Sequence, residues 1–519
     1  MRIGIDVGGT NTDAVLMDGR TVLGAVKTPT TTDVGDGIVR ALQTLCVETQ
    51  LDPARVTAVM IGTTHFTNAI VERRRLMPTA AIRLGLPATE CLPPMVDWPD
   101  DLRRAIGGHV FFVHGGHEYD GRLISPLDEQ EVRAAARRIA DLGIRAVAVT
   151  SVFSPVNPVF EEEAAAIVRT EIPDANVTLS HTIGRIGLLE RENAAILNAC
   201  LGDLARRIVQ AFRQAMAAAR ISAPFYLSQN DGTLMSAEFA EAYPVLTIAS
   251  GPTNSMRGAA FLSGAREAIV VDIGGTTTDV GRLVRGFPRE ASGIVEIGQV
   301  RTNFRMPDVY SFGLGGGSLV GEDPGSVPSI TIGPHSVGYE LTTQALVFGG
   351  RTLTTTDVAV AAGLAEIGDR RAVVGLDADF VRHVLDEIHA RIEAAVDRMK
   401  ISAAPLPVIA VGGGSILIGR PLAGASEIVK PEHFAAANAI GAAIAQVGGE
   451  IDRVFSLDAL SRVEALDQAK AEATQKAIAA GADPATVHIV DVEEVPLAYL
   501  PGNATRVRVK AVGDLLMSQ

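Results

Sequence analysis

One eight-residue motif occurs twice in this chain and constrains its fold more than any other feature. Residues 6–13 read DVGGTNTD and residues 272–279 read DIGGTTTD, so the aspartates, glycines and threonines recur at a constant offset (272 − 6 = 266). A short β-branched run precedes each copy and another follows it, which predicts a strand, a Gly-Gly-Thr turn and a second strand. The repeat therefore predicts a duplicated scaffold.

The residues after each motif decide which nucleotide-binding loops are possible. Asp18-Gly19 follows the first copy and Arg285-Gly286 follows the second, so each unit is predicted to be a hairpin or a meander. A Walker loop and a Rossmann fingerprint both need a helix directly after the glycines. The Walker form also needs a Gly-Lys pair, which this sequence does not contain. Both loops are therefore excluded.

The two Gly-Gly-Thr turns can still bind phosphate. Glycines allow successive backbone N–H groups to point at one anion, and threonine hydroxyls add donors without adding charge. The candidate phosphate-binding residues are Gly8, Gly9, Thr10, Asn11, Gly274, Gly275, Thr276 and Thr277. Asp6 and Asp272 would repel a polyphosphate unless a divalent cation lay between them, and Mg²⁺ commonly meets one or two carboxylates plus phosphate. Two purely structural turns would explain the glycines but not the paired aspartates.

Composition limits the class of protein. A chain of 519 residues with 47% hydrophobic and 4% aromatic residues predicts two or more domains with aliphatic cores. A net charge of −14 argues against nucleic acid or an anionic membrane as a partner. The three widely spaced cysteines indicate neither a disulfide framework nor a zinc site. We expect a cytoplasmic protein without a transmembrane helix.

Two other clusters have competing interpretations. His109, His114 and His117 lie close together in the sequence, but the last two lie in a glycine loop, and loop histidines are more often exposed than metal-bound. A long helix is predicted from Leu188 towards Arg220, and Glu190, Arg191, Glu192 and Asn193 lie at its start. These four residues either face a cleft between domains or form a solvated first turn favoured by the helix dipole.

The motifs together resemble known proteins. The paired hairpins resemble the phosphate loops of the actin, Hsp70 and sugar-kinase ATPase fold. The whole chain is more closely similar to the hydantoinase A/5-oxoprolinase family, ATP-dependent openers of cyclic amides, some of whose relatives are subunits of ketone carboxylases. The segments that carry this resemblance are Gly62–Glu72, Glu190–Asn193, Leu227–Met235, Ser250-Gly251-Pro252 and Gly349–Thr352.

The resemblance implies an α/β fold with two duplicated lobes of the actin-like (ribonuclease H-like) type. We expect a first lobe over residues 1–200 with an insertion near 87–125, a second lobe over 201–450, and a small α/β extension over 451–519. The family's fuller members continue further, so the chain resembles a short form. Two later glycine clusters would lie at the nucleotide, and their candidate cofactor contacts are Gly315, Gly316, Gly412, Gly413 and Gly414.

The resemblance also implies chemistry. ATP would phosphorylate the carbonyl oxygen of a cyclic amide or imide, such as a hydantoin or 5-oxoproline, and water would attack the activated imidate. Asp6, Asp272 and Asp279 are the candidate catalytic residues, and Asp6 and Asp272 would bind Mg²⁺. A hydantoinase B-like or other second subunit is the expected partner. The alternatives are a small-metabolite kinase of the same fold and an ATPase or regulatory subunit of a carboxylase-type complex.

Overall fold

The structure is a computed structural model, and it describes residues 1–30, 34–291, 293–303, 306–323, 329–458, 460–497 and 502–516. Its strands are, in chain order, β1 (Arg2–Val7), β2 (Asn11–Asp18), β3 (Thr21–Pro29), β4 (Ala58–Thr63), β5 (Thr79–Leu86), β6 (His109–His114), β7 (Ala146–Ser151), β8 (Asn176–Leu179), β9 (Phe225–Ser228), β10 (Thr233–Ser236), β11 (Ala268–Ile273), β12 (Thr278–Val284), β13 (Phe287–Pro288), β14 (Val295–Ile297), β15 (Val300–Thr302), β16 (Val309–Phe312), β17 (Ser318–Asp323), β18 (Ser329–Ser336), β19 (Leu406–Val411), β20 (Ala425–Val429), β21 (Gln446–Ser456), β22 (His488–Pro496) and β23 (Ala504–Gly513).

The α-helices connect and cover these strands. They are, in chain order, α1 (Val34–Glu48), α2 (His65–Val71), α3 (Asp100–Ala105), α4 (Glu129–Asp141), α5 (Val159–Glu171), α6 (Leu188–Cys200), α7 (Gly202–Ala218), α8 (Ala237–Ala242), α9 (Ser250–Ser263), α10 (Leu341–Gln344), α11 (Thr355–Ala361), α12 (Ala378–Met399), α13 (Ala437–Ala443) and α14 (Arg462–Ala479). None of the helices in the described ranges is long and apolar enough to span a bilayer.

Two sheets repeat one topology. The first sheet contains the order β3-β2-β1-β4-β9, and the second contains β13-β12-β11-β19-β20. In each sheet the first hairpin is antiparallel, and the next two strands run parallel to its first strand. We call the parts of the chain built on these sheets the first and second lobes. The duplication predicted from the motif is therefore confirmed at the level of strand order.

The two motifs occupy equivalent places in their hairpins. In the first, Asp6 pairs with Asp13 across β1 and β2, and in the second Asp272 pairs with Asp279 across β11 and β12. Each turn is closed by the same bond, from the first glycine's N–H to the carbonyl three residues later, at 3.0 Å in the first lobe and 2.9 Å in the second. Four carboxylates thus lie at the turn ends of two matching ladders.

Residues 79–179 form a separate layer. The parallel strands β6-β5-β7-β8 make a four-stranded sheet, with α4 and α5 packed on one side of it. Alternating strands and helices produce this arrangement because parallel strands need helical crossovers. Strands β21, β22 and β23 join the sheet of the first lobe through β10, and the alanine face of α14 packs on them. The division of the chain at residues 200 and 450 stays a prediction, since sheets rather than domains are visible here.

The predicted long helix from Leu188 is wrong in one respect, because the chain forms two helices, α6 and α7. Leu201 alone separates them, and a Cβ at Gly202, the first residue of α7, would overlap the Asn176 side chain. Glycine lowers helix stability and here allows a close approach to β8.

Two helices rich in small residues, α9 and α13, cross between the lobes. Helix α13 packs on α9 and on β1, β4 and β2. A Cβ at Gly441 would overlap the Asn254 carbonyl oxygen, one at Gly258 would overlap the Ala437 carbonyl, and one at Gly4 would overlap the Ala439 carbonyl. At these three glycines the backbone of one element contacts the backbone of another, so there is no room for a side chain.

Candidate functional site

The two Gly-Gly-Thr turns meet at the junction of the lobes. A Cβ on Gly275 would lie 2.7 Å from the Thr10 hydroxyl oxygen, so the second turn touches the first. Gly9 has open space on its Cβ side, and Gly8, Thr10 and Asn11 are partly exposed. The sequence-predicted residues of both motifs are therefore brought together in three dimensions.

Asp6 is a strongly perturbed carboxylate of the junction. Only 5% of Asp6 is exposed, and burial together with nearby Asp13 and Asp272 raises its pKa to about 7. The Asn438 side chain donates a 3.3 Å hydrogen bond to Asp6 Oδ2. Asp6 Oδ1 is buried without a hydrogen-bond partner. An unpartnered buried carboxylate oxygen is costly, and it is suited to a cation or a donor from a ligand.

The carboxylates of the second motif are perturbed in the same direction. Burial raises the pKa of Asp272, against the lowering effects of Ser255 and Lys27. Burial also raises the pKa of Asp279 to about 6, although the Ser311 hydroxyl donates a hydrogen bond to it. Negative charge is thus concentrated at the junction.

Lys27 places a positive charge among these carboxylates. Its ammonium group forms a 2.6 Å ion pair with Asp13. Within the described part of the chain, no three histidine, cysteine or carboxylate side chains could hold a metal ion together. The buried, unpartnered Asp6 Oδ1 fits Mg²⁺, which takes few protein carboxylates and completes its coordination with water and phosphate.

The predicted glycine clusters support the second turn. Gly316 N–H donates to the Gly274 carbonyl at 3.0 Å, and a Cβ on Gly315 would lie 2.5 Å from the backbone of Gly275. A Cβ on Gly412 would overlap Asp272, one on Gly414 would lie 2.6 Å from Ile273, and Gly413 has open space. Four of these glycines therefore permit close packing behind the turn, and a cofactor-binding role for the set stays a prediction.

Sequence reasoning missed several polar residues of the junction. Asn254 and Ser255 come from α9, Asn438 comes from α13, and Lys27 comes from β3. Asn254 lies one helical turn after Ser250 of the Ser-Gly-Pro segment, so its placement on the same face could have been found from spacing. No sequence pattern indicates the position of Asn438, because contacts between distant segments of the chain place its helix against the first lobe.

Arg191, Glu192 and Asn193 at the start of α6 are buried, whereas Glu190 is partly exposed. Their burial contradicts the solvated first turn, which is one of the two interpretations of this cluster. Glu192 accepts a 2.8 Å hydrogen bond from Arg83 Nε, and both side chains are almost wholly inaccessible. Arg191 donates to the Ser151 carbonyl at 2.7 Å, and Asn193 accepts from the Trp98 indole at 2.7 Å. The cluster holds α6 against the carboxyl ends of β5 and β7.

The histidines have ordinary partners. His114 contacts Glu131 at 2.9 Å, and the buried His117 lies 3.0 Å from the Asn157 amide and packs on Phe160. His65 lies 2.6 Å from the Thr63 hydroxyl at the carboxyl end of β4, and burial lowers its pKa to about 4. These contacts favour structural roles over a metal site.

The matching sheets and the facing turns define a two-lobed protein of the actin-like ATPase fold, which confirms the predicted fold class. The chain belongs to the hydantoinase/oxoprolinase family. The family model for the N-terminal region matches residues 2–172, and the hydantoinase/oxoprolinase model matches residues 191–399.

Individual relatives agree with this assignment. Caprolactamase subunit alpha from Pseudomonas jessenii is 27% identical over 474 residues, which cover 85% of this chain and 65% of the relative. The acetophenone carboxylase gamma subunit from Aromatoleum aromaticum is 28% identical over 399 residues, which cover 70% of this chain and 53% of that subunit. The crystal structure of the ATP-dependent caprolactamase from Pseudomonas jessenii has a TM-score of 0.79 at 20% identity, covering 99% of this chain and 88% of that chain. This chain thus spans between half and two-thirds of the length of each of these two curated subunits.

Proposed function

We propose that this chain is the ATP-using subunit of an enzyme that opens a cyclic amide or imide, working with a second subunit. The observation that carries the proposal is the junction of the two turns. There the buried carboxylate of Asp272 lies close enough to Asp6 to help raise its pKa. The name of the caprolactamase relative supports the substrate class. That relative is named as a subunit, which supports the proposal that this chain works with a second subunit.

The residues of the junction have separable roles in this proposal. Asp6 and Asp272 would hold Mg²⁺ or its waters, and a cation bound there would neutralise charge on the phosphates. The backbone of Gly8–Asn11 and Gly274–Thr277 binds phosphate oxygens. Asp279 lies across from Asp272, and its raised pKa of about 6 suits a group that exchanges a proton near neutral pH. Fixed donors of this kind stabilise the charge of the transferring phosphoryl group, and losing one costs roughly 10² to 10³ in rate.

The adenosine has a candidate location in the second lobe. A cavity of about 590 Å³ lies between the end of α11, the first half of α12 and Gly419-Arg420. Its walls are mainly apolar, with Arg382, Asp386 and His389 among them. Such a mixture suits a planar heterocycle with a few polar atoms.

The reaction consumes ATP, the cyclic amide and two waters. The carbonyl oxygen attacks the γ-phosphorus, the bond from that phosphorus to the bridging oxygen breaks, and ADP leaves. The amide nitrogen gives up its proton, which leaves an O-phosphorylated imidate. The first water adds to its carbon and the protonated ring nitrogen departs, giving an acyl phosphate. The second water releases phosphate and leaves an open-chain amino acid.

The test compares Asp272→Ala with a surface control, Asp120→Ala, in the chain alone and with its second subunit. ADP, phosphate and ring-opened product are quantified with caprolactam, hydantoin and 5-oxoproline. We expect Asp272→Ala to lose ATP turnover with the far-ultraviolet circular dichroism retained, and the control to match wild type. Unchanged turnover in Asp272→Ala would refute the assignment, and a phosphorylated product in place of free phosphate would indicate a kinase.

One observation favours a second candidate, the nucleotide-using subunit of a carboxylase. The acetophenone carboxylase gamma subunit is among the relatives. The same junction would then use ATP to activate bicarbonate or a ketone. ATP turnover that depends on bicarbonate and a ketone, and that ignores cyclic amides, would identify this function.

A further inference from the structure

A row of polar positions crosses the first lobe next to the phosphate turn. Asp6 is in register with Asp13 on one side and with Gly62 on the other. Ile61 is in register with Leu227, so Ser228 lies beside Gly62 on the next strand. In-register residues of neighbouring strands point to the same face of a sheet. The row lies near the carboxyl ends of parallel strands, where α/β sheets usually bind ligands.

Asn254 occupies the space that Gly62 leaves open in this row. A Cβ on Gly62 would lie 2.7 Å from Asn254 Nδ2 and 2.8 Å from Asp6 Oδ1, so both groups converge on the glycine. Asn254 is completely buried, and neither its Oδ1 nor its Nδ2 has a hydrogen-bond partner. Asp6 Oδ1 is also without a partner.

The unpartnered atoms continue away from Asp6. Ser228 Oγ and Ser250 Oγ are buried and have no partner. Ser250 lies one turn before Asn254 on the same face of the 14-residue helix α9, and the neighbouring Gly251 faces Thr64 across the end of β4. Native structures rarely leave buried polar atoms unpaired, because each one costs free energy. A line of three such side chains beside one carboxylate is a site for a polar ligand.

The chemistry of these atoms selects the ligand. A carboxamide presents one donor and one acceptor side by side. The amide of a small ring is held cis, so its N–H and C=O also lie side by side and can pair with both atoms of Asn254. Asp6 beside the site disfavours an anionic group. We propose that Asn254, with Ser228 and Ser250, binds the ring amide of the substrate and presents its carbonyl oxygen next to Asp6, a step that rests on the proposed function.

The test measures KM for the amide and for ATP separately in the full chain with its second subunit. The variants are Asn254→Ala and Asn254→Leu. The control is Asn198→Ala, a buried helical asparagine outside this row whose amide donates to Thr178 at 3.0 Å and to Ala242 at 2.9 Å. The substrates are caprolactam, hydantoin and 5-oxoproline. N-methylcaprolactam keeps the carbonyl but lacks the N–H that the reaction releases, so its affinity is measured as competitive inhibition of caprolactam turnover. The comparison of caprolactam with its N-methyl form in wild type requires no variant to fold.

We expect wild type to bind caprolactam roughly 10- to 100-fold more tightly than its N-methyl form, the range that one unpaired buried polar group produces. Both Asn254 variants should raise KM for the amide by a similar factor, keep KM for ATP within about twofold and lose the preference. Asn198→Ala should lower the melting temperature and keep both KM values.

Three outcomes would overturn the inference. An unchanged KM for the amide in Asn254→Ala, with amide-dependent ATP turnover intact in wild type, refutes this site and leaves the proposed function standing. A raised KM for ATP alone shows that Asn254 only positions Asp6. Absence of amide-dependent turnover in wild type refutes the proposed function and this inference together.

Discussion

Replacing Asp6 by asparagine should make the ligand-free protein more stable at alkaline pH. Burial and neighbouring carboxylates raise the pKa of Asp6 from 3.8 to about 7. The folded state therefore binds this proton more tightly than the unfolded state. The contribution of the group to stability is present below about pH 4 and is lost as pH rises through about 7.

The magnitude follows from that difference. A tenfold change in proton affinity corresponds to about 1.4 kcal/mol. Asp6 therefore costs about 4 kcal/mol of stability at pH 8, where it is ionised in the fold, and about 1–2 kcal/mol at pH 5, where folding must take up a proton. Asparagine has the same shape, carries no charge and still accepts the hydrogen bond from Asn438. A 519-residue chain has an unfolding entropy near 1 kcal/mol per degree, so Asp6→Asn should raise the melting temperature by about 4 °C at pH 8. The gain should shrink to about 1–2 °C at pH 5.

The assay is differential scanning fluorimetry of wild type and Asp6→Asn at pH 5 and pH 8 without nucleotide. Asp231→Asn is the matched control with the opposite sign. Asp231 is buried and forms a 2.8 Å ion pair with Lys510, which helps to hold its pKa well below the ordinary value. Its replacement should lower the melting temperature at both pH values. A melting temperature of Asp6→Asn that does not rise, or rises equally at both pH values, would refute the electrostatic reasoning.

Three further predictions concern packing, the buried ion pair and histidine. Gly441→Ala should destabilise the fold by about 1–3 kcal/mol, because its Cβ would overlap the backbone of α9. Gly375→Ala, on an open surface, should have little effect. Chemical denaturation measures both changes. Glu192→Ala leaves Arg83 buried and unpaired, so it should cost about 3–5 kcal/mol in the same assay, and retention of wild-type stability would contradict this. His65 has a pKa lowered to about 4, so the wild type should lose stability as pH falls from 6.5 towards 4. In thermal melts over this pH range, His65→Asn should lose less stability than the wild type. Equal losses in the two proteins would rule out this titration.

The sequence was sufficient for the features that depend on local pattern. The octets predicted the hairpins, because strand runs and glycine turns are encoded within a few residues, and their repetition predicted the matched sheets. The facing of Asp6 and Asp272 followed from the resemblance to a two-lobed fold. The burial of Glu192 was not predicted, because its partner lies 109 residues earlier on a strand of another sheet.

Other features depend on contacts between distant segments. Asn254 is near Asp6 only because Gly62 lacks a side chain between them, and no local pattern shows which helix will cover a given glycine. The pairing of β21 to β23 with the first sheet is likewise a long-range choice, because the same alternating strands could have formed a sheet of their own. Patterning indicates that a strand exists, whereas the fold selects its neighbours.

The backbone contact between α9 and α13 limits how the lobes can move. Helices separated by ordinary side chains can slide past each other by repacking, but carbonyl oxygens seated against glycines block translation along either axis. Rotation about the crossing point remains, so this crossing should act as a pivot. Closure on a nucleotide would then swing the two turns along arcs about that pivot. Asn254 and Asn438 would travel least, because they lie on the two crossing helices.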